Sequence, residues 1–399
     1  MNTLQTVMAV TIAAGIPAIF LVLIYTLDLY ASRTFRLALV SFGWGAIGAF
    51  GLAFGLNRTL APPLARLTGL PHDLLLVVFL APVIEEIAKS LSLFYIARQP
   101  DFTYFVDGAI YGFASGIGFS IIENFLYLNQ HPSMGVPLAL TRAFSTCLMH
   151  GTAAAFVGTA IGRFRFKRRS GRQLALVVGW VLAIALHMAF NFVAWLSSAG
   201  QGWGVIAAVA IGLSGVGLIV FFIFRGLTEE REWLAETLDR KLGVTSAEVK
   251  AAQAYADIEE IMRPIAKQFP QQAEQVESML LIQARMGIKQ KVKNLTDDPK
   301  LQKILDQEIA EMHEEMDRLR KQVGLGVMAY LRCVFPETAS DLWDHLERVT
   351  VCSAPSDIQR WIDMLEQEEG AENLPPKRDI FSAMSEQSLR EAEGRQEKT

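Results

Sequence analysis

Seven long apolar runs fill the first 225 residues, and each is long enough for a helix that crosses a bilayer. Their approximate extents are 5–27, 36–56, 74–97, 108–129, 137–162, 173–197 and 203–224. A hydrocarbon core of about 30 Å needs roughly 20 apolar residues in an α-helix. Because backbone polar groups in lipid must be satisfied within the segment, these runs predict helices. The pattern therefore predicts an all-α, polytopic membrane helical bundle with about seven transmembrane helices.

Beyond the last apolar run the pattern becomes charged and amphipathic. Helical spacing recurs in three stretches, at 258–262, 276–288 and 301–323. Prolines are expected to break these runs, at Pro264, Pro270, Pro299 and Pro336. We therefore predict a membrane domain over 1–225, a cytoplasmic helical soluble domain over 226–365 and a disordered tail over 366–399.

The charge balance differs sharply between the two parts. Residues 1–225 hold 14 Lys and Arg against 7 Asp and Glu, whereas residues 226–399 hold 23 against 34. The net-acidic second part argues against nucleic acid as a partner. The chain has 3 cysteines, whose spacing fits neither a metal site nor a disulfide framework.

The basic residues of the short loops predict the orientation in the membrane. Six Lys and Arg residues lie between 163 and 172, which places this loop in the cytoplasm, the N-terminus outside and the C-terminus inside. Arg58 and Arg66 then lie on the outside, against the rule. No Lys or Arg precedes Arg33, so the first run is expected to be a retained membrane helix rather than a cleavable signal.

The third run carries the most unusual polar residues, Glu85, Glu86 and Lys89. Charges inside a membrane helix are costly, and they indicate a functional site by default. Either glutamate can reach Lys89, at spacings of four and three residues. One of them is a candidate general base, and the alternative is a structural ion pair that holds helices together. Pro82 lacks an N–H and is expected to free the carbonyl near Val78.

Further polar residues lie in the next three runs. Glu123 and Asn124 lie in the fourth, His150 in the fifth, and His187 with Asn191 in the sixth. The last two are four residues apart and share one helix face. They could stabilise an oxyanion together, or they could clamp two helices.

Two chemistries fit this set of side chains. In the first, a glutamate deprotonates a water that attacks a peptide carbonyl, while His187 and Asn191 stabilise the oxyanion. In the second, a zinc ion activates the water, with ligands drawn from His150, His187, Glu85 and Glu123. No His-Glu-x-x-His run is present. A carboxamide at 191 is a poor zinc ligand, which favours the glutamate mechanism without metal.

Three short motifs carry a resemblance to the PrsW family of intramembrane proteases. Residues 85–89 match its EExxK motif and residues 119–124 its FxxxEN motif. Residues 187–191 resemble its HxxxD motif, with Asn191 in place of aspartate. The order of the motifs and their positions in successive apolar runs agree as well. The resemblance covers about residues 1–225.

The resemblance implies a function and assigns residues to it. The family is similar to the wider group of CAAX-prenyl-protease-like membrane proteins, in which a glutamate activates water and a His-x-x-x-Asn pair forms the oxyanion site. It implies cleavage of a membrane-anchored protein, such as an anti-sigma factor in transmembrane signalling. Its implied catalytic residues are Glu85, Glu86, Glu123, His150, His187 and Asn191, supported by Lys89, Phe119 and Asn124.

These observations lead to one main interpretation and two alternatives, of which one is a scaffold whose soluble domain carries the function. We expect an intramembrane peptidase of a bacterial cytoplasmic membrane that acts on a single-span protein within the lipid bilayer. The domain over 226–365 would regulate, oligomerise or recruit. The other alternative is a non-proteolytic membrane protein, either a proton-coupled transporter or an immunity-type factor, that uses the same intramembrane carboxylates.

Overall fold

The computed structural model describes residues 3–27, 35–167, 169–197, 203–237 and 258–334. All regular structure in these ranges is helical, as the apolar runs predict. Six helical segments are long and apolar enough to cross a membrane: Thr3–Thr26, Phe35–Thr68, Phe105–Gln130, Gly135–Arg163, Ser170–Leu196 and Trp203–Leu234. The prediction of an all-α polytopic membrane bundle is thereby confirmed.

These six segments coincide with six of the seven predicted runs. The remaining run, 74–97, is also helical, but it carries Glu85, Glu86 and Lys89 and so differs in composition from the other six. It consists of a short turn at His72–Leu74, a π-helical stretch at Leu75–Leu80 and a helix at Ala81–Ile96.

The described residues of the membrane part form ten α-helices. They are α1 (Thr3–Thr26), α2 (Phe35–Gly43), α3 (Phe50–Thr68), α4 (His72–Leu74), α5 (Ala81–Ile96), α6 (Phe105–Gln130), α7 (Gly135–Phe144), α8 (Thr146–Arg163), α9 (Arg169–Ser197) and α10 (Trp203–Thr237). A π-helical stretch at Trp44–Ala49 joins α2 to α3, and a second at Leu75–Leu80 joins α4 to α5.

Helices α6 and α8 form the tightly packed centre of the bundle. A Cβ atom added at Gly108, Gly112 or Gly116 would collide with the backbone of α8, at Gly158, Ala154 and His150 respectively. Glycine at four-residue spacing therefore lets the two helix backbones touch. This packing fixes the backbone of His150 directly against α6.

The predicted run at 137–162 is two helices rather than one. The chain turns at Ser145, whose φ of −121° and ψ of −79° separate α7 from α8. The Ser145 hydroxyl donates a hydrogen bond to the carbonyl of Thr141 at 2.6 Å, so the turn satisfies a carbonyl at the end of α7.

The described residues divide into two compact units. The first runs up to Glu230 and also includes Ile288–Asp306, and the second comprises Arg231–Gly287 and the residues from Gln307 onward. The predicted boundaries at 225/226 and 365/366 stay predictions, and the tail at 366–399 lies outside the described residues.

Within the described range 258–334 there are three further helices: α11 (Ile258–Gln268), α12 (Ala273–Leu295) and α13 (Pro299–Val334). Pro270 follows the end of α11 and Pro299 begins α13, in line with the predicted breaks. Pro264 does not break its run, because α11 continues through it. Pro336 lies outside the described residues. Within the second unit, the Thr237 hydroxyl donates to the carbonyl of Gly287 at 2.9 Å.

Candidate functional site

A fully buried ion pair forms the centre of the site. Glu86 and Lys89 are both 0% exposed, and Lys89 Nζ donates to Glu86 Oε1 at 2.6 Å. The same carboxylate oxygen lies 2.7 Å from His187 Nδ1, and Lys89 Nζ lies 2.7 Å from His150 Nδ1. Of the two glutamates predicted to reach Lys89, it is thus Glu86 that pairs with it. Through these contacts with His150 and His187, the ion pair connects α5 to α8 and α9.

A second carboxylate continues this network on α6. Glu123 Oε2 lies 3.1 Å from His150 Nε2 and 2.6 Å from the guanidinium of Arg142. Because an ammonium can only donate, His150 Nδ1 accepts from Lys89, and the proton of the neutral imidazole lies on Nε2. His150 therefore donates to Glu123, and both of its nitrogens are in hydrogen bonds.

Glu85 lies on another face of α5 from Glu86. Successive helical residues point about 100° apart. Its side chain reaches a cavity, is 10% exposed and forms no hydrogen bond with any residue that the structure describes. The nearest basic group is His187 Nε2, which lies 3.9 Å from Glu85 Oε2.

The protonation of His187 follows from the same kind of argument. A carboxylate can only accept, so the proton of a neutral His187 lies on Nδ1, where it is donated to Glu86. His187 Nε2 then presents a lone pair toward Glu85. Two acceptors that face each other across 3.9 Å leave room for a water that donates to both.

The cavity has a volume of about 610 Å³, with a polar floor and apolar walls. Glu85, Glu123, His187 and Asn191 form the floor. Its aromatic and aliphatic walls are formed by Phe50, Ala53, Phe54, Leu76, Val77, Ala81, Phe119, Leu126 and Tyr127. The lining also includes half-buried Asn57 and four exposed residues, Arg58, Pro62, His72 and Gln130, and we call these five residues the mouth. These residues lie in the middle of α3, at the start of α4 and at the end of α6, on the side that the basic loop predicts to be external.

Asn191 lines the cavity but also has a structural contact. Its Nδ2 donates to the backbone oxygen of Val77 at 2.8 Å. In a π-helix each carbonyl pairs with the N–H five residues later, and Pro82, five residues after Val77, has none. The freed carbonyl is therefore that of Val77, one residue from the predicted Val78, because the helix is π-helical here.

Phe119 and Asn124 support the site from two sides. Lys89 Nζ lies 4.9 Å from the centre of the Phe119 ring, which also packs against His150. Asn124 is fully buried, and its Nδ2 donates to Cys147 Sγ and to the carbonyl of Ala13. Phe119 thus encloses the buried ion pair, and Asn124 ties α6 to α1 and α8.

Arg142 belongs to the network, although the sequence analysis did not single it out. Its Nε donates to Asn124 Oδ1 at 2.8 Å, a second nitrogen pairs with Glu123, and its guanidinium lies 3.9 Å from the centre of the Tyr127 ring. An arginine inside an apolar run needs an acidic partner. That signal was present at 137–162 and would have pointed to Glu123.

Glu85, His150 and His187 have ligand atoms within 4.8 Å of one another, a group that could hold a metal ion. Only Glu85 and His187 Nε2 are free to bind, since His150 uses both nitrogens for Lys89 and Glu123. Catalytic zinc sites use three protein ligands. As arranged here, the side chains fit a bridging water better than zinc.

Comparison with known proteins identifies the part of the chain that contains this site. Residues 33–227 match the model of the PrsW family of intramembrane metalloproteases. Protease PrsW of Clostridioides difficile (strain 630) is 26% identical over 141 residues, 34% of this chain and 58% of that protein. Protease PrsW of Shouchella clausii (strain KSM-K16) is 30% identical over 132 residues, 33% of this chain and 59% of that protein.

A third relative is matched over more of its length. Protease PrsW of Halalkalibacterium halodurans is 28% identical over 188 residues, 47% of this chain and 83% of that protein. The chain spans less than two thirds of the length of the first two relatives. No solved structure matches it.

Proposed function

Through residues 33–227 this chain belongs to the PrsW family of intramembrane metalloproteases, and we propose that it cleaves a peptide bond of a membrane-anchored, single-span protein. The observation that carries the proposal is the position of Glu85. Its carboxylate faces a cavity inside the helical bundle, beside the free nitrogen of His187. A peptide segment that enters this cavity would meet a base beside a nitrogen lone pair, two groups that can hold a water between them.

Glu85 is the residue that we propose as general base. It is one of two carboxylates that line the cavity, and the other, Glu123, is engaged by Arg142 and His150. Glu85 would take a proton from the water that it holds with His187, while the water oxygen attacks the substrate carbonyl. It would then return the proton to the leaving amine, which completes the hydrolysis.

Glu86 and Lys89 have a different proposed role from Glu85. Both are fully buried and bound to each other, so neither can reach a substrate. Glu86 holds His187 by Nδ1, and Lys89 holds His150 by Nδ1. The pair therefore orients the two imidazoles, and Glu86 acts by positioning.

Asn191 is the proposed oxyanion donor. One N–H of its carboxamide is bound to Val77, and the second remains on a side chain that lines the cavity. A donor placed where negative charge develops stabilises the tetrahedral intermediate. His187 is no longer suited to this role when neutral, since its Nε2 carries a lone pair.

The family's metal would find its donors at Glu85, His187 and His150. If His150 released Lys89 or Glu123, zinc held there would supply a Lewis acid that lowers the pKa of a bound water. In the observed arrangement His150 is engaged on both sides, and the roles given above for Glu85 and His187 need no metal.

The proposal is tested with the purified chain in liposomes that contain a single-span substrate and no ion gradient. The wild-type chain is expected to release a cut fragment, and Glu85→Gln is expected to release it about 10²–10⁴-fold more slowly. Glu232→Gln, which removes an exposed carboxylate that does not line the cavity, is the matched control. Equal rates for Glu85→Gln and the wild type would refute the proposal, and a transporter would give no fragment at all.

A further inference from the structure

Arg58 and Arg66 of α3 lie on the predicted external side, against the rule that basic residues favour the cytoplasmic side. The structure shows that the two arginines have different surroundings. Arg66 Nε donates to the carbonyl of Pro62 at 3.3 Å, on its own helix, and Arg66 does not line the cavity. Arg58 lines the cavity and forms no ion pair with any residue that the structure describes. A charge on the predicted external side therefore lines the cavity without an ion-pair partner among the described residues.

A second polar group lies beside Arg58. Asn57 lines the cavity, and its Oδ1 atom is buried and has no hydrogen bond with any residue that the structure describes. A buried acceptor without a donor is costly, and in native proteins it indicates a missing partner. Of these two residues, Arg58 offers the cavity an anion partner, which a peptide segment with an acidic side chain would satisfy.

The distance of Arg58 from the floor can be estimated along α3. Ala53 packs with Ala88 and Phe119 in one apolar cluster, at the depth of the buried part of α5. Arg58 follows Ala53 by five residues, about 7.5 Å along an α-helix. An extended peptide advances about 3.3 Å per residue. Arg58 thus lies within about three residues of a peptide bond held at Glu85.

We propose that Arg58 is a specificity-determining residue that binds the carboxylate of an acidic substrate residue within about three residues of the bond that is cut. The inference rests on the proposed function, because it takes Glu85 as the place of cleavage. Glu85 and Glu123 at the floor repel a carboxylate, so an acidic side chain is expected at the mouth, where Arg58 attracts it.

The test measures binding separately from cleavage. The Glu85→Gln chain is placed in nanodiscs of zwitterionic lipid and titrated with single-span peptides that differ at one position. Each of three successive positions on the external side of the peptide helix carries Asp, Asn or Lys in turn. At one position the Asp peptide is expected to bind about five-fold more tightly than the Asn peptide, the range of a partly exposed ion pair.

Variants of Arg58 and Arg66 test whether the preference for the Asp peptide over the Asn peptide comes from Arg58. Arg58→Ala should abolish it, Arg58→Lys should keep part of it, and Arg58→Glu should favour the Lys peptide instead. Arg66→Ala is the matched control, an arginine on the same helix whose loss should leave the preference unchanged. Equal binding of the Asp and Asn peptides at all three positions would overturn the inference. So would a preference that Arg66→Ala removes equally, since it would reflect the general charge of this membrane face.

Cleavage by the chain with Glu85 intact provides the separate check on the proposed function. If the Asp peptide binds through Arg58 but is never cut, the proposed function is wrong and the binding site stands. If peptides are cut at rates that do not depend on Arg58 or on their charge, the proposed function stands and the inference is wrong.

Discussion

The Nδ2 atom of Asn191 lies 2.8 Å from the backbone oxygen of Val77 and replaces the N–H that Pro82 lacks. This contact ties α9 to the π-helical stretch before α5, at the edge of the cavity. An aspartate at 191 would face a carbonyl with a carboxylate, two acceptors without a proton to share. A carboxamide is therefore the side chain that fits this position.

From this contact we expect Asn191→Asp to lower thermal stability and turnover more than Asn191→Ala does. The alanine leaves a carbonyl unpaired, at a cost of about 1–3 kcal/mol, and the aspartate adds repulsion. Both remove an oxyanion donor, so kcat should fall on the order of 10²-fold. The measurements are the melting temperature in detergent and kcat on one substrate.

The control for this prediction is Pro82→Ala, which returns a backbone N–H to the helix. In that background Asn191→Ala should cost less stability than in the wild type, because the backbone then supplies a donor. An unchanged cost in both backgrounds would show that the bond to Val77 does not stabilise the fold.

The two adjacent glutamates should behave as opposites. Glu85→Gln should leave the melting temperature near that of the wild type and remove cleavage, because Glu85 has no hydrogen bond among the described residues. Glu86→Gln should destabilise the fold by about 3–5 kcal/mol, since it leaves Lys89 buried without its carboxylate. Thermal unfolding and cleavage, measured on both variants, check this division. Equal destabilisation by the two would contradict it.

Arg142 should prove to be a positioning residue for Glu123. Arg142→Ala leaves Glu123 without its guanidinium partner and should cost about 3–5 kcal/mol of stability. Arg142→Lys keeps the charge, but it loses the second contact, to Asn124. We expect Arg142→Lys to fold and to lower kcat while KM stays near the wild-type value, because Arg142 does not line the cavity. A change in KM alone would indicate direct substrate contact instead.

Much of this fold could be predicted because a chain segment in lipid must satisfy its own backbone hydrogen bonds, which a helix does. The lengths of the apolar runs predicted the helices, and the charged residues inside one run indicated a functional site at residues 85–89. The division of labour between Glu85 and Glu86 could not be predicted from spacing, since both lie within reach of Lys89 along one helix. It depends on which face of α5 meets His150 and His187, two residues that come from other helices.

Two other features could not be predicted from the sequence, for a related reason. The break at Ser145 lies inside a continuous apolar run, and hydropathy does not report a turn of the backbone. The π-helical stretch shifted the carbonyl freed by Pro82 by one residue. Neither feature changes the composition on which the prediction of helices depends.

The last prediction separates a metal-free site from a zinc site through His150. His150 accepts from Lys89 at one nitrogen and donates to Glu123 at the other. A glutamine can do both, with its carbonyl oxygen and its NH₂ group, but a carboxamide is a poor zinc ligand. If His150 only bridges Lys89 and Glu123, His150→Gln should keep cleavage within about ten-fold of the wild type, because one hydrogen bond contributes about 1 kcal/mol.

The experiment that distinguishes the metal-free site from the zinc site also includes His187→Ala and a measurement of bound metal. His187→Ala should lower kcat on the order of 10²-fold in either case, because it removes a group that holds the water or the metal. The metal content of the active protein and a chelator titration complete the experiment. We expect cleavage to survive chelation. Stoichiometric zinc that His150→Gln removes, and whose withdrawal and return switch cleavage off and on, would show that His150 leaves Lys89 or Glu123 to become a ligand and that a metal activates the water.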